Sequence, residues 1–339
     1  MVGFARKDVF FQKSLRVALK ERAGSARILS NAGWLMSARI FHLLLSVGVG
    51  ILLARYLGPK DFGLFSYGQS LTGLFAKLVY LGLSGLVVRD LVRSPKESSL
   101  ILGTTFAIKL TGAALGFLLV LVLAAKTTAA DNVEFWVLVF FGSGLFALPF
   151  EVMDFWFQSQ VESKYSAIAS AIGALAGAFG KVLLLVVRAS VIAFAAVSSL
   201  QMFFVSGLLF YFYYRRGHSL GKWRVSFGKA KEMMRQGWLL LFAGIFAEVN
   251  LKIDQIMLRW LADVNEVGVY SVAAGISEMW YFIPAAIAVS IFPRLTELRE
   301  SKPKILNIRF QQVFDGLFLI GLFVAVGVTF SAKIFMPWL

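Results

Sequence analysis

Nine times along this chain a stretch of roughly 20 or more residues runs almost without charge. A helix needs about 20 mostly apolar residues to cross the hydrocarbon core of a bilayer. Inside that core every backbone N–H and C=O must find a partner within the protein, so only helices and closed barrels span it. A barrel would show alternating segments of about ten residues, which these runs do not. The expected fold is therefore an all-α polytopic membrane protein with about nine transmembrane helices. They fall near 31–54, 62–87, 100–125, 133–157, 165–187, 189–213, 236–261, 268–292 and 307–331. Composition agrees: the 339 residues are 58% hydrophobic and 16% charged, with a mean hydropathy of +0.76. Soluble domains run about half apolar and about a quarter charged. A water-soluble globule and a disordered chain are both excluded. With no Cys and two His, neither a disulfide scaffold nor a dedicated metal site is expected. No cofactor is expected either.

Ser30-Asn31 reads as a helix cap opening the first span, and Gly58-Pro59 as its end. No cleavable signal peptide is expected, because the first apolar run begins after thirty residues and is too long for one. Residues 1–30 form a basic segment with seven Lys and Arg. Two readings stand for it: a solvated tail, or a helix on the membrane surface with Phe11, Leu15, Ala18 and Leu19 on its apolar face. The N-terminus and the even-numbered links carry 23 of the 34 Lys and Arg, counting Arg309 with its link. The odd-numbered links and the C-terminal end carry six, counting Arg259, and five lie inside spans. By the positive-inside rule the N-terminus is cytoplasmic. The formal charge of +15 is then chiefly a topology signal, with the lipid bilayer as its partner and no nucleic acid implied.

The chain repeats itself. Gly33-Trp34-Leu35 and Arg55-Tyr56-Leu57 bracket the first span, and Gly237-Trp238-Leu239 and Arg259-Trp260-Leu261 bracket the seventh. After a short link each is followed by a related segment, Phe62-Gly63-Leu64-Phe65-Ser66 and Val267-Gly268-Val269-Tyr270-Ser271. Duplication is the expected cause. Six intervening spans make the repeat parallel, as in transporters of two lobes. The domains read as a basic cytoplasmic N-terminal segment (1–30), a first six-helix lobe (31–213), a basic cytoplasmic connector (214–235) and a second lobe of about three helices (236–339). A full second lobe would extend to about residue 440, so the second lobe is expected to be truncated.

Charges inside spans are costly and mark protein-facing or water-facing positions. Arg39, Lys77, Lys109 and Lys181 each sit well inside a span of the first lobe, where no acid accompanies them. Lys77 belongs to a polar stripe with Ser66, Ser70, Gly73, Tyr80 and Ser84. This asymmetry fits a water-filled vestibule that attracts an anion, against the alternative that the side chains snorkel to the interface. In the second lobe Glu248, Asp254, Glu278 and Asp315 are carboxylates at membrane depth, candidates for binding Na⁺ or H⁺. The alternative for Glu248 is a local i, i+4 pair with Lys252. Glu151 and Asp154 read as interfacial. Gly112-x-x-x-Gly116 and Gly173-x-x-x-Gly177 permit close helix packing within the lobe. Pro149 and Pro284 are expected to kink their helices. No P-loop, nucleophile elbow or metal-spaced His pair is present. The chain reads as no enzyme, with no catalytic residues.

Asn31-Ala32-Gly33-Trp34-Leu35, Leu53-Ala54-Arg55-Tyr56-Leu57-Gly58-Pro59 with Phe62-Gly63, and Leu81-Gly82-Leu83 with Val88-Arg89 resemble the opening of bacterial oligosaccharide flippases. Ile253-Asp254-x-Ile256-Met257-Leu258, Glu266-Val267-Gly268-x-Tyr270 and Phe282-Ile283-Pro284 with Pro293 and Leu295 resemble the same family's seventh and eighth helices. The family belongs to the multidrug/oligosaccharidyl-lipid/polysaccharide (MOP) exporter superfamily, and the resemblance covers about residues 28–330. It implies a MATE/MOP-like architecture of two lobes around a central cavity. It also implies transfer of a polyprenyl-(di)phosphate-linked oligosaccharide from the cytoplasmic to the outer leaflet during surface polysaccharide biosynthesis, such as O-antigen, capsule or exopolysaccharide. Transport would proceed by ion-coupled alternating access in the inner membrane. Polysaccharide polymerase and glycosyltransferases would be its partners. Substrate-binding candidates are Arg39, Lys77, Lys109, Lys181 and Lys252; Asp254 is the acid best matched to a family motif. The alternatives are a membrane glycosyltransferase or polymerase of the same pathway, a multidrug exporter of the same fold, and an inactive truncated remnant.

Overall fold

The computed structural model describes residues 2–127, 132–281, 283, 284, 287 and 303–335, and every regular element among them is helical. In chain order these are α1 (Val2–Tyr80), α2 (Ser84–Arg93), α3 (Ser98–Thr127), α4 (Val133–Ser143), α5 (Val152–Ser159), α6 (Lys164–Val186), α7 (Val191–Arg215), α8 (Phe227–Leu261), α9 (Val264–Glu278) and α10 (Pro303–Phe335). Six stretches among the described residues are long and apolar enough to cross a membrane: Ile40–Arg93, Pro95–Lys126, Val133–Ser159, Lys164–Val186, Val191–Arg215 and Leu306–Phe330. The first holds two expected spans. The expected seventh span lies on α8, whose Glu248, Lys252, Asp254 and Arg259 lower its apolar character. The expected eighth begins on α9, and its end, with Pro293 and Leu295, lies outside the described residues.

Helix boundaries depart from the expectation in three places. The helix passes through Ser30-Asn31 rather than starting there. A cap signal acts only where the chain upstream leaves the helical region, and Ser25-Ala26-Arg27-Ile28-Leu29 has no breaker to make it do so. At Gly58 the expected link shrinks to one residue, with φ 67° and ψ 177°. Glycine accepts that conformation without a Cβ penalty, and Pro59 then opens the next helix, where its missing N–H costs nothing. The second expected span is not continuous: it breaks after Tyr80, with Leu81 at φ 50° and Gly82 at φ 64°, before α2 begins. The Pro149 kink is present as a 3-10 stretch, Gly144–Glu151, joining α4 to α5.

The chain forms two compact units. One comprises Met1–Ser46 and Gly68–Asp254. Its core gathers Leu83 just before α2, Val87 and Leu91 of α2, Ile101 and Leu102 of α3, Met153, Phe155 and Phe157 of α5, Leu209 and Tyr213 of α7, and Met233 of α8. Small residues set the helix spacing. A Cβ on Gly112 would lie 2.2 Å from the Leu78 carbonyl oxygen, and one on Gly173 would lie 2.1 Å from Cγ2 of Val205. Both expected small-residue motifs therefore pack inside this unit. The segment before α8 is strapped to α3: Arg224 N–H donates to the Ser99 carbonyl (3.1 Å), and Ser226 N–H donates to Thr104 Oγ1 (3.1 Å).

The other unit comprises Val47–Tyr67 and Gln255–Leu339. Here the sequence repeat becomes geometry. A Cβ on Gly63 would lie 2.0 Å from the Val264 carbonyl oxygen, and a Cβ on Gly268 would lie 2.0 Å from that of Pro59. Gly63 and Gly268 are equivalent in the repeat, and so are Pro59 and Val264 by the same offset. Each glycine thus meets the counterpart of its own neighbour, the reciprocity that a two-fold relation imposes. Trp260 Nε1 donates to the Tyr67 hydroxyl in the same unit (3.3 Å).

Candidate functional site

The last turns of α1 before the break carry Gly73, Lys77 and Tyr80. The Lys77 ammonium lies 2.9 Å from Oε2 of Glu248 on α8, the two side chains being 27% and 17% exposed. Lys109, on α3, has no exposed surface, and its ammonium lies 2.6 Å from Oε2 of Glu151. That ammonium also sits 5.2 Å from the centre of the Tyr80 ring and 4.9 Å from that of Phe155. Lys77 approaches the same Tyr80 ring at 5.5 Å. The result is two ion pairs joined through one ring face in the first unit: Glu248, Lys77, Tyr80, Lys109, Glu151. One turn beyond Glu151, Asp154 is half-buried and accepts from Gln158 Nε2 (2.9 Å).

The two pairs differ physically. A fully buried ammonium costs several kcal/mol unless a carboxylate and further contacts compensate it. Lys109 has both, the ring faces adding about 0.5–2 kcal/mol each. The ammonium is sealed in, while its partner Glu151 is 32% exposed. Lys77 and Glu248 both keep exposed surface, 27% and 17%.

These contacts revise the sequence reading of the cations. No acid lies near Lys77 or Lys109 along their own helices, but carboxylates from other helices reach both. Glu151, read as interfacial, pairs with Lys109. Glu248, a candidate for coupling an ion, pairs with Lys77. The signal that could have exposed Glu151 is its place one turn from Asp154, where two acids share an otherwise apolar span; Tyr80 closes the polar stripe of Lys77.

The remaining candidates are spread over the fold. Arg39 lies on α1, with its side chain outside the described residues. Lys181 is half-buried on α6; Lys252 and Asp254 are half-buried on α8, and Glu278 is half-buried at the end of α9. Asp315 is exposed on α10 and accepts from Gln311 Nε2 (2.7 Å). The structure thus brings Lys77, Lys109 and Glu248 into one network.

At the basic end of the unit a second network joins α2 to α8. Asp90 receives Arg89 (2.9 Å) and Lys229 (3.5 Å), Arg89 Nη2 donates to Gln236 Oε1 (2.7 Å), and Lys229 meets Glu232 (3.3 Å). Burial opposes the Lys229 charge, but Glu232 and Asp90 outweigh it and hold the ammonium above its ordinary value. Nearby, His218 lies against Trp156 and Tyr213, with ring centres 4.4 and 5.0 Å apart. Burial, then Lys222 and Arg216, push its imidazole below 6.5. A cleft of about 310 Å³ opens beside it, lined by Leu91, Pro95, Ser98, Trp156, Ser159 and Gln160 as well.

Apolar helices of spanning length with charged side chains paired between them define a polytopic helical membrane protein. Residues 28–299 match the family described as "Polysaccharide biosynthesis protein", and the chain belongs to that family. Comparison with curated proteins found no match. Its fold is similar to the inward-facing conformation of a multidrug resistance MATE family transporter of the MOP superfamily. The TM-score is 0.65 at 15% identity, over 86% of this chain and 70% of that one. A crystal structure of MATE in complex with MaD3S is similar at a TM-score of 0.64 and 13% identity, over 90% and 73%. The chain is thus an all-helical membrane protein with a MATE-like fold over most of its length.

Proposed function

We propose that this protein moves a polyprenyl-(di)phosphate-linked oligosaccharide from the cytoplasmic to the outer leaflet during surface polysaccharide biosynthesis. It acts by ion-coupled alternating access between two lobes, residues 31–213 and 236–339, in the inner membrane with its N-terminus cytoplasmic. The observation that carries this reading is the partly exposed Lys77 deep in an apolar helix, in a family of polysaccharide biosynthesis with the fold of MOP transporters. An ammonium in a low-dielectric wall binds phosphate oxygens through short, charge-assisted hydrogen bonds. Arg39, Lys181 and Lys252 would extend the anionic path, and Lys109 would hold its wall in place. Asp254, Glu278 and Asp315 are the carboxylates proposed for Na⁺ or H⁺. A fold hosts many substrates, so the multidrug transport named for the similar structure does not transfer to this chain. Lys77→Ala is expected to cut surface polysaccharide export about tenfold or more while the protein still inserts in the membrane. Wild-type export by Lys77→Ala and by Arg39→Ala would remove both from the path.

A further inference from the structure

Taking the proposed transport of an anionic headgroup as given, we infer that Glu248 is a displaceable counter-ion. It occupies Lys77 in the place of the substrate's phosphate, and its displacement is the event that frees α8 from α1.

The geometry has three parts. First, Glu248 mimics the headgroup: its Oε2 takes the Lys77 ammonium at 2.9 Å, as a phosphate oxygen would. Its Oε1 rests over Gly73, where a Cβ would stand only 3.2 Å away. Second, this pair can exchange. Its members are 27% and 17% exposed, so neither is sealed in; in the other pair Glu151 is 32% exposed but the Lys109 ammonium is 0% exposed and held between two rings. With both side chains partly exposed, a phosphate can reach Lys77 without unpacking the core. A diphosphate brings more than one negative charge to the contest. Third, the pair sits at one end of a long seam between α8 and the α1–α2 segment. From the basic end inward the contacts are Lys229 with Asp90, Gln236 with Arg89, Gly237 against Leu83, Leu240 against Gly82, and Glu248 with Lys77. Lys229 and Glu248 are about 28 Å apart along the helix at 1.5 Å per residue. Beyond Leu240 the pairing of Glu248 with Lys77 fastens the inner end of the seam by charge.

A ligand shifts a conformational equilibrium only by its differential affinity for the two states. While the seam is closed, an anion must compete with Glu248 for Lys77. Once it has opened, the competition is gone. Anion binding and seam opening are therefore linked, and each favours the other by the same factor. Lys109, Glu151 and Tyr80 hold their positions around Lys77 throughout.

The test uses the full chain in nanodiscs, with inorganic pyrophosphate as the probe at constant ionic strength. The chain has no cysteine, so spin labels can be placed cleanly at Arg93→Cys on α2 and Lys231→Cys on α8. Glu248→Gln keeps the shape and removes the charge. It is expected to bind pyrophosphate about tenfold more tightly than the wild type, within the usual range of coupling. It should also show the longer label separation before pyrophosphate is added, whereas the wild type lengthens only on addition. Lys77→Gln should lose binding. The swap Lys77→Glu with Glu248→Lys, which rebuilds the ion pair, should restore the short separation before pyrophosphate is added. Equal affinity in Glu248→Gln and wild type, with binding still lost in Lys77→Gln, would overturn the displacement and leave the proposed function standing. Absence of binding in both wild type and Glu248→Gln would overturn the anionic path itself.

Discussion

A lysine without exposed surface persists in a membrane helix because something neutralises it, and for Lys109 that is Glu151 at 2.6 Å. Removing one partner of such a pair strands the other, at about 3–5 kcal/mol, whereas replacing both can be nearly neutral. Glu151→Gln is therefore expected to lower unfolding stability in detergent by about 3 kcal/mol or more, and Lys109→Met with Glu151→Gln by much less than the sum of the single changes. Glu248→Gln, in the exposed pair, should cost about 1 kcal/mol or less. Denaturant titration of the four variants checks this, and equal losses for Glu151→Gln and Glu248→Gln would contradict it. The sequence displays Lys77 and Lys109 at once, because a charge in an apolar run is visible by itself. It does not display their partners. Glu151 and Glu248 lie on other helices, and pairing between helices is set by packing that no local pattern encodes.

The breaks and close approaches of the helices show the same division between local and tertiary causes. Gly58 is legible as a break because Pro59 follows it. The interruption at Leu81–Gly82 is not, since it contains no proline and three apolar or small residues continue the run. Its cause is tertiary: α8 fits against it so closely that a Cβ on Gly82 would come 2.3 Å from Leu240 Cβ. The repeat was legible as matching words, but its reciprocal glycine contact needed the fold. Gly63→Ala and Gly268→Ala each push a methyl into a carbonyl oxygen of the facing backbone, which must shift. Both are expected to reduce the yield of folded protein by similar amounts, by about 2 kcal/mol or more if measured as stability. Gly207→Ala on α7 meets nothing within 4 Å and should be neutral or stabilising by up to about 1 kcal/mol. Size-exclusion profiles and thermal unfolding of the three variants decide it; a tolerated Gly63→Ala would remove the tight contact from the account.

At the scale of the whole molecule, apolar composition fixed the class, and long runs placed most of the helices. The family and the transporter fold agree with that reading. The proposed cargo rests on a few charges whose neighbours only the fold reveals. The most direct measurement is transfer of a fluorescent polyprenyl-diphosphate glycan across the bilayer of liposomes containing the purified protein, with and without an imposed Na⁺ or H⁺ gradient. The account predicts transfer well above protein-free vesicles, reduced about tenfold or more by Lys77→Ala, and made insensitive to the gradient by Asp254→Asn. Transfer no faster than in protein-free vesicles, or transfer unchanged in Lys77→Ala, would contradict it.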